Sequence, residues 1–139
     1  MINAILDAGV LISGLISSSG SPAHILDALI EGRFDVTVCP MLLAEVRRAL
    51  GYPRLERYIS SSNADAFVAW IARIAVIHPD PTTIEPVTRD PDDDYLFALA
   101  RDAHVDMIVS GDADLIDLDE PPTRVLTPRD FLNLLNVQR

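Results

Sequence analysis

Four acidic side chains stand where they can act together. Asp7 directly follows the apolar β-run INAIL (2–6), and Asp112 follows DMIVSG. Asp93 belongs to DPDDDYLFALA, which crowds four aspartates into positions 90–94. That run has the composition of a helix start, with Asp90 as N-cap, Pro91 at the first helical position, and Asp92 and Asp93 at the positive end of the helix dipole. At about 100° per residue, Asp93 shares the stripe of Leu96, Phe97, Ala100 and His104 that is expected to face a sheet. Asp94 falls toward Arg101 on the outer side, and Asp92 toward Leu99. Glu45, in PMLLAEVRRALG, lies at the margin of its helix's apolar stripe, close in angle to Met41, Leu42 and Ala49, with Arg47 facing away. Singly, each acid has a plain structural use: Asp7 and Asp112 as caps or turn formers, Glu45 as a solvated helix residue. Gathered without lysine, they would repel one another and raise each other's pKa values unless a divalent cation offsets the charge. Hard oxygen donors of this kind suit magnesium or manganese. A zinc site would show spaced Cys and His, and His24, His78 and His104 have no such spacing.

The elements that must position these acids alternate along the chain. The β-rich segments 2–6, 35–39, 106–110 and 123–127 alternate with helical stretches, which predicts an α/β fold: a mainly parallel central sheet with helices on both faces. Helix punctuation agrees, with Ser21-Pro22 opening one helix and Gly32 following it, Pro40 and Gly51 bounding the next, and Thr127-Pro128 opening the last. Residues 60–75 add an amphipathic helix outside this rhythm. In an open α/β sheet the site lies in the crevice at the carboxyl ends of the strands, and Asp7, Asp93 and Asp112 are all directed there.

At 139 residues the length suits a single domain, and no compositional break divides it. Charges and prolines interrupt every apolar run short of the ~20 residues a membrane helix needs. The N-terminal run lacks a basic n-region and is broken by Asp7, so cytoplasmic residence is expected. Cys39, the one cysteine, reads as a buried small hydrophobe. The balance is acidic, with 21 acids against 11 bases, all arginine, and a net charge of −10. Such a domain argues against simple electrostatic binding of nucleic acid, which normally shows a basic surface. The missing lysine also argues against a receiver-like signalling domain, whose acidic pocket needs one.

LDAGVLIS after the first strand, an acid in the second punctuated helix, DPDDDYLFALA and IVSGDADLI together resemble the PIN-domain ribonucleases, particularly the VapC-type toxins of prokaryotic toxin–antitoxin pairs. The resemblance spans roughly residues 2–132. It implies a PIN-like three-layer fold and a metal-dependent ribonuclease with Asp7, Glu45, Asp93 and Asp112 as the metal-binding and catalytic quartet. Asp114 matches a further acidic metal position, and Ser110 stands where a hydroxyl helps order the site beside the substrate. The implied cofactor is magnesium or manganese, and the implied chemistry is hydrolysis of RNA phosphodiesters by a metal-activated water, which Asp93 or Asp112 is a candidate to orient. A bound cation would answer the charge objection, with Arg47, Arg48, Arg54 and Arg57 available to the RNA backbone. The implied partners are RNA, a cognate antitoxin and a second copy of the chain in a homodimer, with Phe67, Trp70, Ile71 and Ile74 as the apolar surface. One departure stands out: Ala8 and Gly9 replace the hydroxyl residue and asparagine that usually follow the first aspartate. A catalytically weak or silent PIN-like binding module is the alternative this raises.

Overall fold

The structure is a computed structural model that describes residues 1–137. Five strands form one all-parallel sheet: β1 (Asn3–Leu6), β2 (Asp35–Val38), β3 (Val76–Ile77), β4 (Met107–Val109) and β5 (Val125–Leu126), in the order β3-β2-β1-β4-β5. Seven helices flank it among the described residues: α1 (Ala8–Ile16), α2 (Ser21–Ile30), α3 (Pro40–Leu50), α4 (Ser61–Ile74), α5 (Asp94–Ala103), α6 (Ala113–Ile116) and α7 (Pro128–Val137). The expected α/β class and parallel sheet are present, as are the strands and helix starts read from the sequence. Two-residue β3, α1 and the short α6 carry too little pattern to be read that way.

The central strands show why the sheet is covered on both sides. Ala4, Ile5 and Leu6 are consecutive and all fully buried, as are Ile108 and Val109. Because successive side chains point to opposite faces, unbroken burial requires apolar cover on each face. The register aligns Ala4, Ile5 and Leu6 with Met107, Ile108 and Val109, which brings the ends of β1 and β4 level. From β1 the chain builds outward to β2 and β3 on one side and to β4 and β5 on the other. The β1/β4 junction is therefore the topological switch point, the place where such sheets open a crevice. The buried polar groups fit the same economy. Thr37 donates to Asn3 Oδ1 at 2.8 Å, and among the described residues no buried side-chain polar atom lacks a partner.

The acidic run begins with a turn of 3₁₀ helix, Pro91–Asp93, capped by the Asp90 carboxylate on the Asp92 amide, before α5 begins at Asp94. Here the helical phase misplaces two residues. Asp94 is not on the outer side: it is 5% exposed, and its Oδ1 accepts from the amides of Val87 and Thr88 at 3.1 and 2.8 Å. The segment before α5 folds back over its first turn, burying the flank opposite the sheet, so the helix is buried all round from Asp94 to Ala100. A sheet-facing stripe in the sequence carries no trace of this second cover. His104 is exposed instead of facing the sheet, because it ends α5 in the left-handed conformation (φ 55°).

Candidate active site

Asp7 is the first residue past β1, and its amide still donates to Val109 O at 3.0 Å, continuing the ladder. Its side chain caps α1, with Oδ1 accepting from the Val10 amide at 2.8 Å. Its second oxygen, Oδ2, accepts from the Ser110 hydroxyl. Ser110, at the end of β4 and wholly buried, also accepts from the Asp112 amide at 3.0 Å. One hydroxyl thus ties the ends of β1 and β4 together and sets the turn that presents Asp112. Asp112 in turn caps α6 through Asp114 N at 2.9 Å. The simple uses of Asp7 and Asp112 as caps are real, but capping takes up only part of each carboxylate.

Asp7, Glu45, Asp93 and Asp112 line one cavity of about 400 Å³. They arrive from the end of β1, from α3, from the turn before α5 and from the loop after β4. No arginine or histidine lines this cavity among the described residues. The electrostatic result is direct. Burial pushes the Asp7 carboxyl above its ordinary value, with Glu45 and Asp112 adding to the rise and the Ser110 and Val10 hydrogen bonds opposing it. Burial is also the main reason that Asp93 is pushed up to about 6, followed by the charges of Asp90, Asp112, Glu45 and Asp7. As the side chains stand, no three Asp, Glu, His or Cys groups converge tightly enough to hold one ion among the described residues.

A second cavity of about 800 Å³ adjoins the first and shares Glu45 and Asp93 with it, its other walls including Arg48, Tyr52, Asp92 and Tyr95. Tyr95 adds a group to those expected from the sequence. It is 5% exposed and its hydroxyl donates to Glu45 Oε2. Its signal was a tyrosine inside an apolar helical run, since a buried phenol needs a partner.

The structure places the other expected residues in different surroundings. Ser110 is wholly buried and engaged by Asp7 and the Asp112 amide, and it does not line the carboxylate cavity among the described residues. Asp114 is exposed and does not line the carboxylate cavity; one step into α6 its side chain leaves the crevice. Arg47 is engaged by α4, pairing with Asp65 and donating to Ser61 Oγ at 2.9 Å. Arg48 alone of that pair lines a cavity. On α4, Phe67 and Ile71 are buried while Ile74 is exposed; Trp70 stacks on Phe67 at 5.9 Å, and both line an apolar groove with Leu15 and Ile16.

The PIN-domain profile matches residues 3–114. An uncharacterized protein of Methanocaldococcus jannaschii is 28% identical over 140 aligned positions, which cover 94% of this chain and 90% of that one. A crystal structure of a Pyrobaculum aerophilum protein superposes with a TM-score of 0.66 at 16% identity, covering 99% of this chain and 91% of the other. VapBC2 of Rickettsia felis, solved bound to a DNA fragment from its promoter, gives 0.62 at 9% identity over 91% of this chain and 98% of the other. At these identities the two structures establish a shared fold. No helix among the described residues is long and apolar enough to cross a membrane.

Proposed function

Because the chain belongs to the PIN-domain family, we propose that it is a magnesium- or manganese-dependent ribonuclease, the toxin of a type II toxin–antitoxin pair. The observation that carries the nuclease reading is the meeting of Asp7, Glu45, Asp93 and Asp112 in one cavity that no arginine or histidine lines among the described residues. The donor set fits a hard divalent cation: all four groups supply carboxylate oxygen, and the raised Asp7 and Asp93 carboxyls mark negative charge that the fold leaves uncompensated. Such an ion would be held by these four residues once their side chains turn inward from the wider spacing they have here, and when bound it would supply an acidified water and charge neutralisation at phosphorus.

The chain's own groups do the rest. Ser110 keeps the Asp7 carboxylate turned into the cavity and shapes the turn that presents Asp112. The Asp93 carboxyl, pushed up to about 6 by burial and then by Asp90, Asp112, Glu45 and Asp7, is a group whose negative charge a bound cation would offset at the wall shared by the two cavities. Arg48, in the adjoining cavity, offers a guanidinium to the phosphates of an RNA strand running past Glu45. The toxin assignment draws on the fold shared with VapBC2 and on the apolar groove of Leu15, Ile16, Phe67 and Trp70, which suits an antitoxin helix or a second copy of the chain.

One observation favours a second reading, a catalytically weak or silent binding module. Ala8 and Gly9 border the carboxylate cavity and give it no polar side chain. Incubating the purified chain with a mixed RNA pool in magnesium, in manganese and in chelator separates the two. Cleavage that needs metal and is lost in Asp112→Asn supports the nuclease, and intact RNA in every condition supports the silent module.

A further inference from the structure

Two carboxylates of the site are held by buried hydroxyls, Asp7 by Ser110 and Glu45 by Tyr95. The first links the ends of neighbouring strands. The second crosses from α5 to α3 and secures a longer, more flexible side chain. Glu45 sits in mid-helix at the wall between the two cavities, where an unrestrained glutamate would spread over several rotamers and lose them on engaging a ligand. Tyr95 is 5% exposed, so its ring is fixed by packing and its hydroxyl has a defined position. The chemistry of the restraint also suits its place. An arginine or lysine would hold Glu45 more strongly, but its charge would compete with a cation for the carboxylate; a phenol donates one hydrogen bond and stays neutral.

We infer that Tyr95 is a positioning residue for Glu45, with its hydroxyl fixing one carboxylate oxygen so that the other is presented to a divalent cation in the cavity. This inference rests on the metal-site reading above and names a part of that site beyond its four acids. Tyr95→Phe keeps the ring and its packing and removes only the donor.

Manganese binding to the full chain is measured by calorimetry and by thermal shift for wild type, Tyr95→Phe, Glu45→Gln and the double variant. In chelator, Tyr95→Phe melts within a few degrees of wild type. Its manganese dissociation constant rises about tenfold, the equivalent of roughly 1.4 kcal/mol and of one hydrogen bond to a charged acceptor. In the Glu45→Gln background the same substitution changes the constant less than about twofold, a coupling that a purely structural tyrosine would not show. Wild-type manganese affinity in Tyr95→Phe, with affinity lost in Glu45→Gln, overturns the positioning role and leaves the metal site standing. Equal losses from Tyr95→Phe in both backgrounds also overturn it. A wild-type chain that binds no manganese overturns the metal site and this inference together.

Discussion

Replacing Asp93 with asparagine should stabilise the metal-free protein at neutral pH while removing its response to metal. The Asp93 carboxyl is pushed from 3.8 to about 6, first by burial and then by Asp90, Asp112, Glu45 and Asp7. A group whose folded pKa lies above its unfolded value favours the fold at low pH and loses that advantage as pH rises through the folded value. The penalty for holding Asp93 ionised is therefore complete above about pH 6. A shift of about two units corresponds to roughly 3 kcal/mol if taken whole. The carboxylate is only partly buried and faces water in the cavity, so screening reduces this to about 1–2 kcal/mol. In a chain of this length that is a gain of about 3–7 °C in Tm for Asp93→Asn at pH 7 in chelator. By pH 4.5 the wild-type carboxyl is largely protonated in the fold, and the gain should shrink to about a third. With saturating manganese the order reverses, because the variant lacks a ligand and the wild type gains binding energy. Circular-dichroism melts at the two pH values, with chelator and with manganese, follow all three signs. An Asp93→Asn variant that melts at or below wild type at pH 7 in chelator, or whose gain is undiminished at pH 4.5, would refute the claim of uncompensated charge. Asp94→Ala is the internal contrast. It strips the amides of Val87 and Thr88 of their acceptor and should lose about 2–4 kcal/mol at pH 7, whatever the metal.

Metal stabilisation of the wild type should itself depend on pH: about 2.7 kcal/mol at a hundredfold excess over the dissociation constant near pH 7, falling toward pH 5 as protons on Asp7 and Asp93 compete for the same oxygens. A manganese-induced shift in Tm that is constant across that range would count against the carboxylates as its site. Ser110→Ala should cut RNA cleavage by at least about tenfold through kcat with KM little changed, since Ser110 orients Asp7 without reaching substrate; steady-state kinetics on a short RNA read the split. Arg48→Ala should weaken RNA binding in proportion to a lost phosphate contact, with a shallower salt dependence. Arg47→Ala should instead leave RNA binding unchanged and cost about 0.2–1 kcal/mol in denaturant melts, because its partners are Asp65 and Ser61. Trp70→Ala should lower the mass measured by light scattering and weaken capture of a helical antitoxin partner; an unaltered mass and affinity would remove the groove from the assembly.

By itself the sequence determined most of the elements, all but β3, α1 and α6, and the edge of the sheet where the acids meet. Apolar β-runs ending in Asp7 and before Asp112 put both residues at the carboxyl edge of a parallel sheet, because strand direction and crossover rules leave few alternatives. The stripe of Leu96, Phe97 and Ala100 likewise placed Asp93 toward the crevice, even though a 3₁₀ turn precedes the helix. Local patterns work here because period and capping are properties of neighbouring residues.

Tertiary structure decided which polar groups serve others and which face the cavity. Asp94 is buried because the segment through Val87 and Thr88 folds back on it, a contact between chain segments that helical phase does not encode. Arg47 and Arg48 are adjacent and chemically identical, yet one is tied down by α4 and the other lines a cavity. The Tyr95 and Ser110 hydroxyls reach Glu45 and Asp7 across 50 and 103 positions of sequence. A hydroxyl's partner is set by direction and distance in the packed fold, and residue type alone carries neither.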